Sequence, residues 1–189
     1  MDLKEVVNLT KVDEYLEKLD HTHIVLFHEG GKEKRETEYG FIEKGLEKNQ
    51  HCFYTTQNPQ QVLDEMKEFG IDVDAKSNLI HLVKIPDEFE NYSKMILDEV
   101  ATLPSESEIR VISTHNFDFD DEEKTDRMAE IEQCVDDDFA NINGNFVCSF
   151  QVNQVNEKLR SRFLNQLLDS HKAVIFLRNE KGSDMFMLP

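Results

Sequence analysis

The stretch HIVLFHEGGKEKR, residues His23 to Arg35, is the key to the fold. Its first six residues, His23 to His28, form an apolar run too short and too β-branched for a helix, which reads as a buried strand. The pair Gly30 and Gly31 then interrupts the run, and a charged loop leads into a periodic segment with Tyr39, Ile42 and Leu46 on one face. Strand, glycine-containing loop and helix in that order open a βαβ unit.

Working outward, further apolar runs at 52–56, 78–83, 109–113, 145–150 and 173–177 predict five more strands. Helical segments at 36–48, 58–70, 88–103, 121–141 and 156–170 separate them. The second of these is well punctuated, with Asn58 as a cap, Pro59 in the first turn and Gly70 suited to a left-handed end. Regular alternation with near-continuous apolar strands implies an α/β fold, a three-layer sandwich around a mostly parallel sheet. Residues 173–177 and 185–188, flanking Asn179 to Gly182, predict an antiparallel hairpin on one edge. Ahead of the first strand, Val12, Tyr15, Leu16 and Leu19 follow helical spacing behind Thr10. The expected organisation is an N-terminal helix within 1–20, packed on the sheet edge or forming an oligomer contact, and a single α/β domain over 21–189.

The chain has 189 residues, 39 acidic against 21 basic, and a net charge of −18. A surface so negative repels phosphate backbones and anionic lipid, so neither nucleic acid nor membrane is an expected partner. Three cysteines, Cys52, Cys134 and Cys148, lack CxxC spacing and are odd in number, against a disulfide framework. No apolar run reaches membrane-spanning length, and the expected location is the cytoplasm.

In open α/β sheets ligands bind beyond the carboxyl ends of the strands. The loop after the first strand has the context of a phosphate-binding loop, but not its spelling. With Lys34 in the lysine place of G-x-x-x-x-G-K-[ST], the glycines fall on His28 and Glu33 and the magnesium-holding hydroxyl on Arg35. The fourth strand runs into Ser113, Thr114 and His115, where an acid for magnesium is wanted, and the second into Thr56 and Gln57, where a water-activating glutamate is wanted. Catalysis is therefore not expected, nor is a cofactor. A metal centre from His21, His23 and His28 is disfavoured because 21 and 23 share one face of a strand and 28 the other, so no metal is expected.

The segments FIEKGLEKNQHCFYTT (41–56), NPQQVLDEMKEFGIDVD (58–74) and NLIHLV (78–83) resemble RecA/KaiC-type ATPases. From residue 23 onward the chain resembles more closely the MEDS domain (methanogen/methylotroph, DcmR sensory domain), a relative of that fold with a decayed phosphate loop. The resemblance is carried by HIVLFHEG with His23 and Phe27, EKGL with Gly45 and Leu46, VCSF with Cys148, LLDSHKAVIF with His171, and the closing MFMLP. Departures are His21-Thr22 ahead of the first histidine, Phe150-Gln151 after the cysteine, and Lys172 after the last histidine. The resemblance implies a sensory or regulatory domain for small organic compounds.

The expected pocket is lined by His28, Thr56, Gln57, Thr114 and His115, with His23, Cys148 and His171 added from the resemblance. Each has a plainer reading: His171 as a partner for helix C-terminal carbonyls, Cys148 as a small core residue, His115 as an exposed loop residue. The acidic runs 117–123 and 136–138 read as solvated charge, the first complementing the dipole of the helix it opens, with divalent cation binding or a basic partner protein as the alternatives and Phe117 and Phe119 available to anchor such a partner. The functional expectation is a non-catalytic sensory or regulatory domain that binds a small organic ligand or signal and passes it to a partner protein with basic patches, with a homo-oligomer left open. The alternatives are an atypical nucleotide-binding protein or ATPase using Lys32 or Lys34, and a pure interaction module.

Overall fold

A computed structural model describes residues 9–85, 93–115, 117–178 and 182–188. The alternating pattern is realised as α1 (Leu9–Glu17), β1 (His23–His28), α2 (Gly31–Glu47), β2 (His51–Thr56), α3 (Pro59–Phe69), β3 (Ile80–Lys84), α4 (Ser93–Val100), β4 (Ile109–His115), α5 (Glu122–Phe139), β5 (Gly144–Gln151), α6 (Arg160–Leu168), β6 (Ala173–Arg178) and β7 (Gly182–Met187). The beginning of the helix expected over 88–103 lies outside the described residues. The last expected helix is shorter than 156–170, because a 3-10 turn at Val152–Gln154 and a bridge from Phe119 to Val155 hold the chain ahead of it.

The seven strands form one sheet in the order β3-β2-β4-β5-β1-β6-β7. All neighbours are parallel except β6 and β7, which form the expected edge hairpin with Ala173 opposite Met187 and Arg178 opposite Gly182. Strands β1 and β4 are buried along their whole length, as a sheet covered on both faces requires. On one face Ile24, Leu26, Tyr54, Ile112 and Val147 pack with α1, α2 and α3. On the other, Val25, Phe27, Cys148 and Phe150 pack with Met128 and Ile131 of α5 and Phe163 and Leu167 of α6.

Helix α1 shares the first core. Val12 and Leu16 are buried there, each contributing about 1.5–3 kcal/mol, so its apolar face is spent inside the domain. Arg110 of β4, fully buried, donates to the carbonyls of Leu16 and Phe41 and lies 4.6 Å over the Phe41 ring, tying α1 and α2 to the sheet. At Gly45 helix α2 comes so near that a Cβ would lie 2.6 Å from Cys52 Sγ and 2.8 Å from Arg110 Cδ. Phe117 and Phe119, expected as surface anchors, are buried in the core: the chain turns back after β4, and both rings complete the α6 face.

Candidate functional site

The connections after β1 and β2 run over one face and those after β4 and β5 over the other. A cleft opens at the carboxyl edge between them, as such reversals create. It encloses about 270 Å³ and is bordered by Gly30, Gly31, Lys34, Tyr39, Tyr54, Thr56, Thr114 and Gln151, among others. Gly30 and Gly31 both have positive φ, which permits the tight entry into α2. Below the cleft Glu38 is fully buried and closed by partners: Tyr54 Oη donates to it at 2.6 Å, Ser149 Oγ at 2.6 Å, and Lys34 Nζ lies at 3.6 Å. Lys34, at the place of a phosphate-binding lysine, is thus paired with a carboxylate of its own helix.

The hydroxyls and imidazole expected at this edge are also engaged. Thr56 Oγ1 accepts the Asn58 N–H at 3.0 Å, Thr114 Oγ1 donates to the Thr55 carbonyl at 2.7 Å, and His28 Nδ1 accepts the Gly30 N–H at 3.0 Å. Asn58 itself makes no side-chain capping bond. Burial and the charge of Lys34 push His28 down to about 3, so it is neutral. Gln57 is half-buried and stands away from the cleft lining.

A second polar group lies on the opposite face, under α5. Glu132, 1% exposed, points from α5 into a ring of imidazoles: His115 Nε2 is 3.1 Å from Oε1, while His171 Nε2 and His23 Nε2 are 3.5 and 3.6 Å from Oε2. Cys148 Sγ is 3.3 Å from His23 Nε2. The outer nitrogens are oriented from behind. His171 Nδ1 donates to the Leu167 carbonyl at 2.7 Å, and His23 Nδ1 reaches Asp136 Oδ1 at 3.4 Å. His115 stacks on Phe150 with ring centroids 4.1 Å apart. Burial would raise Glu132, but His115, His171 and His23 outweigh it and hold the carboxyl well below its usual range. Burial lowers His23, yet Asp136 and Glu132 together raise it; His171, buried and beside the charge on His23, is lowered. Burial and Glu132 keep Cys148 a thiol, well above its ordinary value.

The profile of the MEthanogen/methylotroph, DcmR Sensory domain (MEDS) matches residues 22–172. The chain belongs to the MEDS family. Among solved structures, a KaiC-like protein from the hyperthermophilic archaeon Pyrococcus horikoshii OT3 superposes with a TM-score of 0.61 at 17% identity, over 86% of this chain and 74% of that one. That likeness fixes the MEDS domain's architecture as KaiC-like, and extends to the fold alone. No curated protein sequence matches the chain. No helix among the described residues is long and apolar enough to cross a membrane.

In this MEDS domain the residues expected at one pocket occupy two places. His28, Thr56 and Thr114 lie on the α2 side, whereas His115, one residue further along the same strand, points to α5, as alternation on a strand dictates. His23, Cys148 and His171 join His115 there. Glu132 is the residue that sequence reading passed over, and Asp136, read as solvated, is held against His23. The signal for Glu132 was its place on the buried stripe of α5 with Met128, Val135 and Phe139.

Proposed function

We propose that this MEDS domain is a non-catalytic sensor that takes a small organic ligand in the carboxyl-edge cleft and passes the occupied state to a protein partner. The observation that carries this reading is the closed pairing of Lys34 with Glu38 under the cleft. A phosphate entering there meets a buried carboxylate, and the lysine that would receive it is already neutralised. The cleft is also smaller than the roughly 300–1,000 Å³ of pockets for drug-sized ligands, which favours a compact compound over a nucleotide. The acidic surface suits a partner with basic patches, since complementary charge speeds encounter.

Native mass spectrometry of the protein from its own host is expected to retain a small molecule. A thermal-shift series with ATP, with and without magnesium, is expected to leave the melting temperature unchanged. A rise that grows with ATP excess would instead support the nucleotide-binding reading, because a ligand of the folded state alone must stabilise it.

A further inference from the structure

We propose that His23 Nε2, Glu132 Oε2, Cys148 Sγ and His171 Nε2 form a four-ligand site for a divalent cation of the zinc class, between the sheet and α5. The proposal is independent of any ligand in the cleft. These four atoms lie within 4.8 Å of one another, and all four residues are buried. In a tetrahedral zinc site with bonds of about 2.0–2.3 Å, neighbouring ligand atoms are separated by about 1.6 bond lengths, or roughly 3.3–3.7 Å. Of the six separations, three fall in this range, 3.3 Å from His23 to Cys148, 3.6 Å from His23 to Glu132 and 3.5 Å from His171 to Glu132, and the others stay within 4.8 Å, a spread that small side-chain rotations close on loading.

Donor orientation agrees. A carbonyl only accepts, so His171 carries its proton on Nδ1 toward Leu167 and presents a bare Nε2 to the cluster. Both His171 Nε2 and Glu132 Oε2 are buried without a hydrogen-bond partner, which is uncommon in a folded interior. Around them stand the supports that hold metal ligands in place: a carbonyl behind one histidine, the Asp136 carboxylate behind the other, and His115 on the second oxygen of Glu132. One thiolate, one carboxylate and two neutral imidazoles sum to the charge that cancels a divalent cation, which suits a buried site. Loading replaces the Cys148 S–H bond by a metal–sulfur bond and the His23 Nε2–H bond by a metal–nitrogen bond; both protons leave to solvent, and His23 keeps its Nδ1 proton toward Asp136. A mixed set of sulfur, nitrogen and oxygen ligands selects zinc over the hard cations magnesium and calcium. With four protein ligands the coordination sphere is closed, so the metal would fasten β1, β5, α5 and the turn before β6 rather than do chemistry.

The test uses the full chain, stripped with a chelator and resupplied with Zn(II) or Co(II) alone. About one equivalent of zinc is expected to survive gel filtration. The thermal midpoint is expected to rise by about 5–10 °C at a hundredfold excess over Kd. Co(II) is expected to give tetrahedral visible bands and a thiolate charge-transfer band, which Cys148→Ser removes and the exposed Cys134→Ser keeps. If Cys148→Ser does not fold, the Cys52→Ser/Cys134→Ser double variant decides: a band that persists there belongs to Cys148. Absence of retained metal and of any shift overturns the proposal. So does metal retention unchanged in Cys148→Ser, or a charge-transfer band lost with Cys134.

Discussion

Glu38 and Glu132 are both fully buried glutamates, one on each face of the same sheet, and they are kept in different ways. Glu38 has two hydroxyls and an ammonium directed at its oxygens, so its network is closed. Glu132 has three imidazoles around it, yet one oxygen receives no hydrogen bond and one facing nitrogen is bare. A buried charge with all its donors in place is a structural device; one with donor atoms left facing a common point is a binding device. The difference teaches that burial and charge alone do not reveal function, whereas the tally of satisfied atoms does.

The comparison can be broken most severely at Glu38. Glu38→Gln removes the charge that faces the Lys34 ammonium and leaves a single acceptor oxygen for the two hydroxyls, and is expected to cost about 3 kcal/mol in urea unfolding. A loss below 1 kcal/mol would show that the closed network is not what holds this face. Next comes His28, beside the same network. The unfolded chain's histidine takes its proton near pH 6.5, and the folded one only near 3. Between these values the unfolded state holds the extra proton, so stability falls as pH falls, by about 1.4 kcal/mol per unit. His28→Gln is expected to lose about 2 kcal/mol less than the parent between pH 7 and pH 5, measured by unfolding at each pH. Equal losses would remove the burial of His28 from the account.

On the other face the effects are smaller. In metal-free protein Glu132→Gln is expected to cost only about 1 kcal/mol, because its amide N–H₂ finds the bare nitrogen of His171. A cost matching that of Glu38→Gln would erase the distinction between the two carboxylates. Least of all is Arg162→Ala, which releases Asp126 and Glu122 of α5 from α6. As a half-exposed pair it is expected to cost under about 1 kcal/mol, and a larger loss would mean that α6 is needed to keep the Glu132 cluster shut.

Much of the fold was legible because the apolar runs are unambiguous. Residues 23–28 are bounded on both sides by polar or glycine residues, and Pro59 and Gly70 mark a helix from end to end. The cluster was legible only in part. His23, Cys148 and His171 could be named from their motifs, but their meeting depends on β5 lying beside β1, a pairing 123 residues apart in sequence that no local pattern encodes. Glu132 was hidden by composition: it lies in a helix with seven other acidic residues, where one more carboxylate reads as solvated. Only the 3.6-residue stripe distinguishes it from its neighbours. The burial of Phe117 and Phe119 was missed for a related reason, since flanking aspartates mask a core residue when the turn that folds it inward is not anticipated.

Strand β1 begins with a histidine of the Glu132 cluster and ends with His28, near Lys34 on the other face. The five-residue separation of His23 and His28 is odd, which is why they face opposite sides of the sheet. Length is therefore heritable information in this strand in a way that side-chain identity is not. Loss or gain of one residue inside it would bring both imidazoles to the same side and leave the other face without an imidazole from this strand, with every hydrophobic residue between them otherwise intact. The strand is free to drift among apolar residues but not in register, so the two faces of the domain are bound to be inherited together.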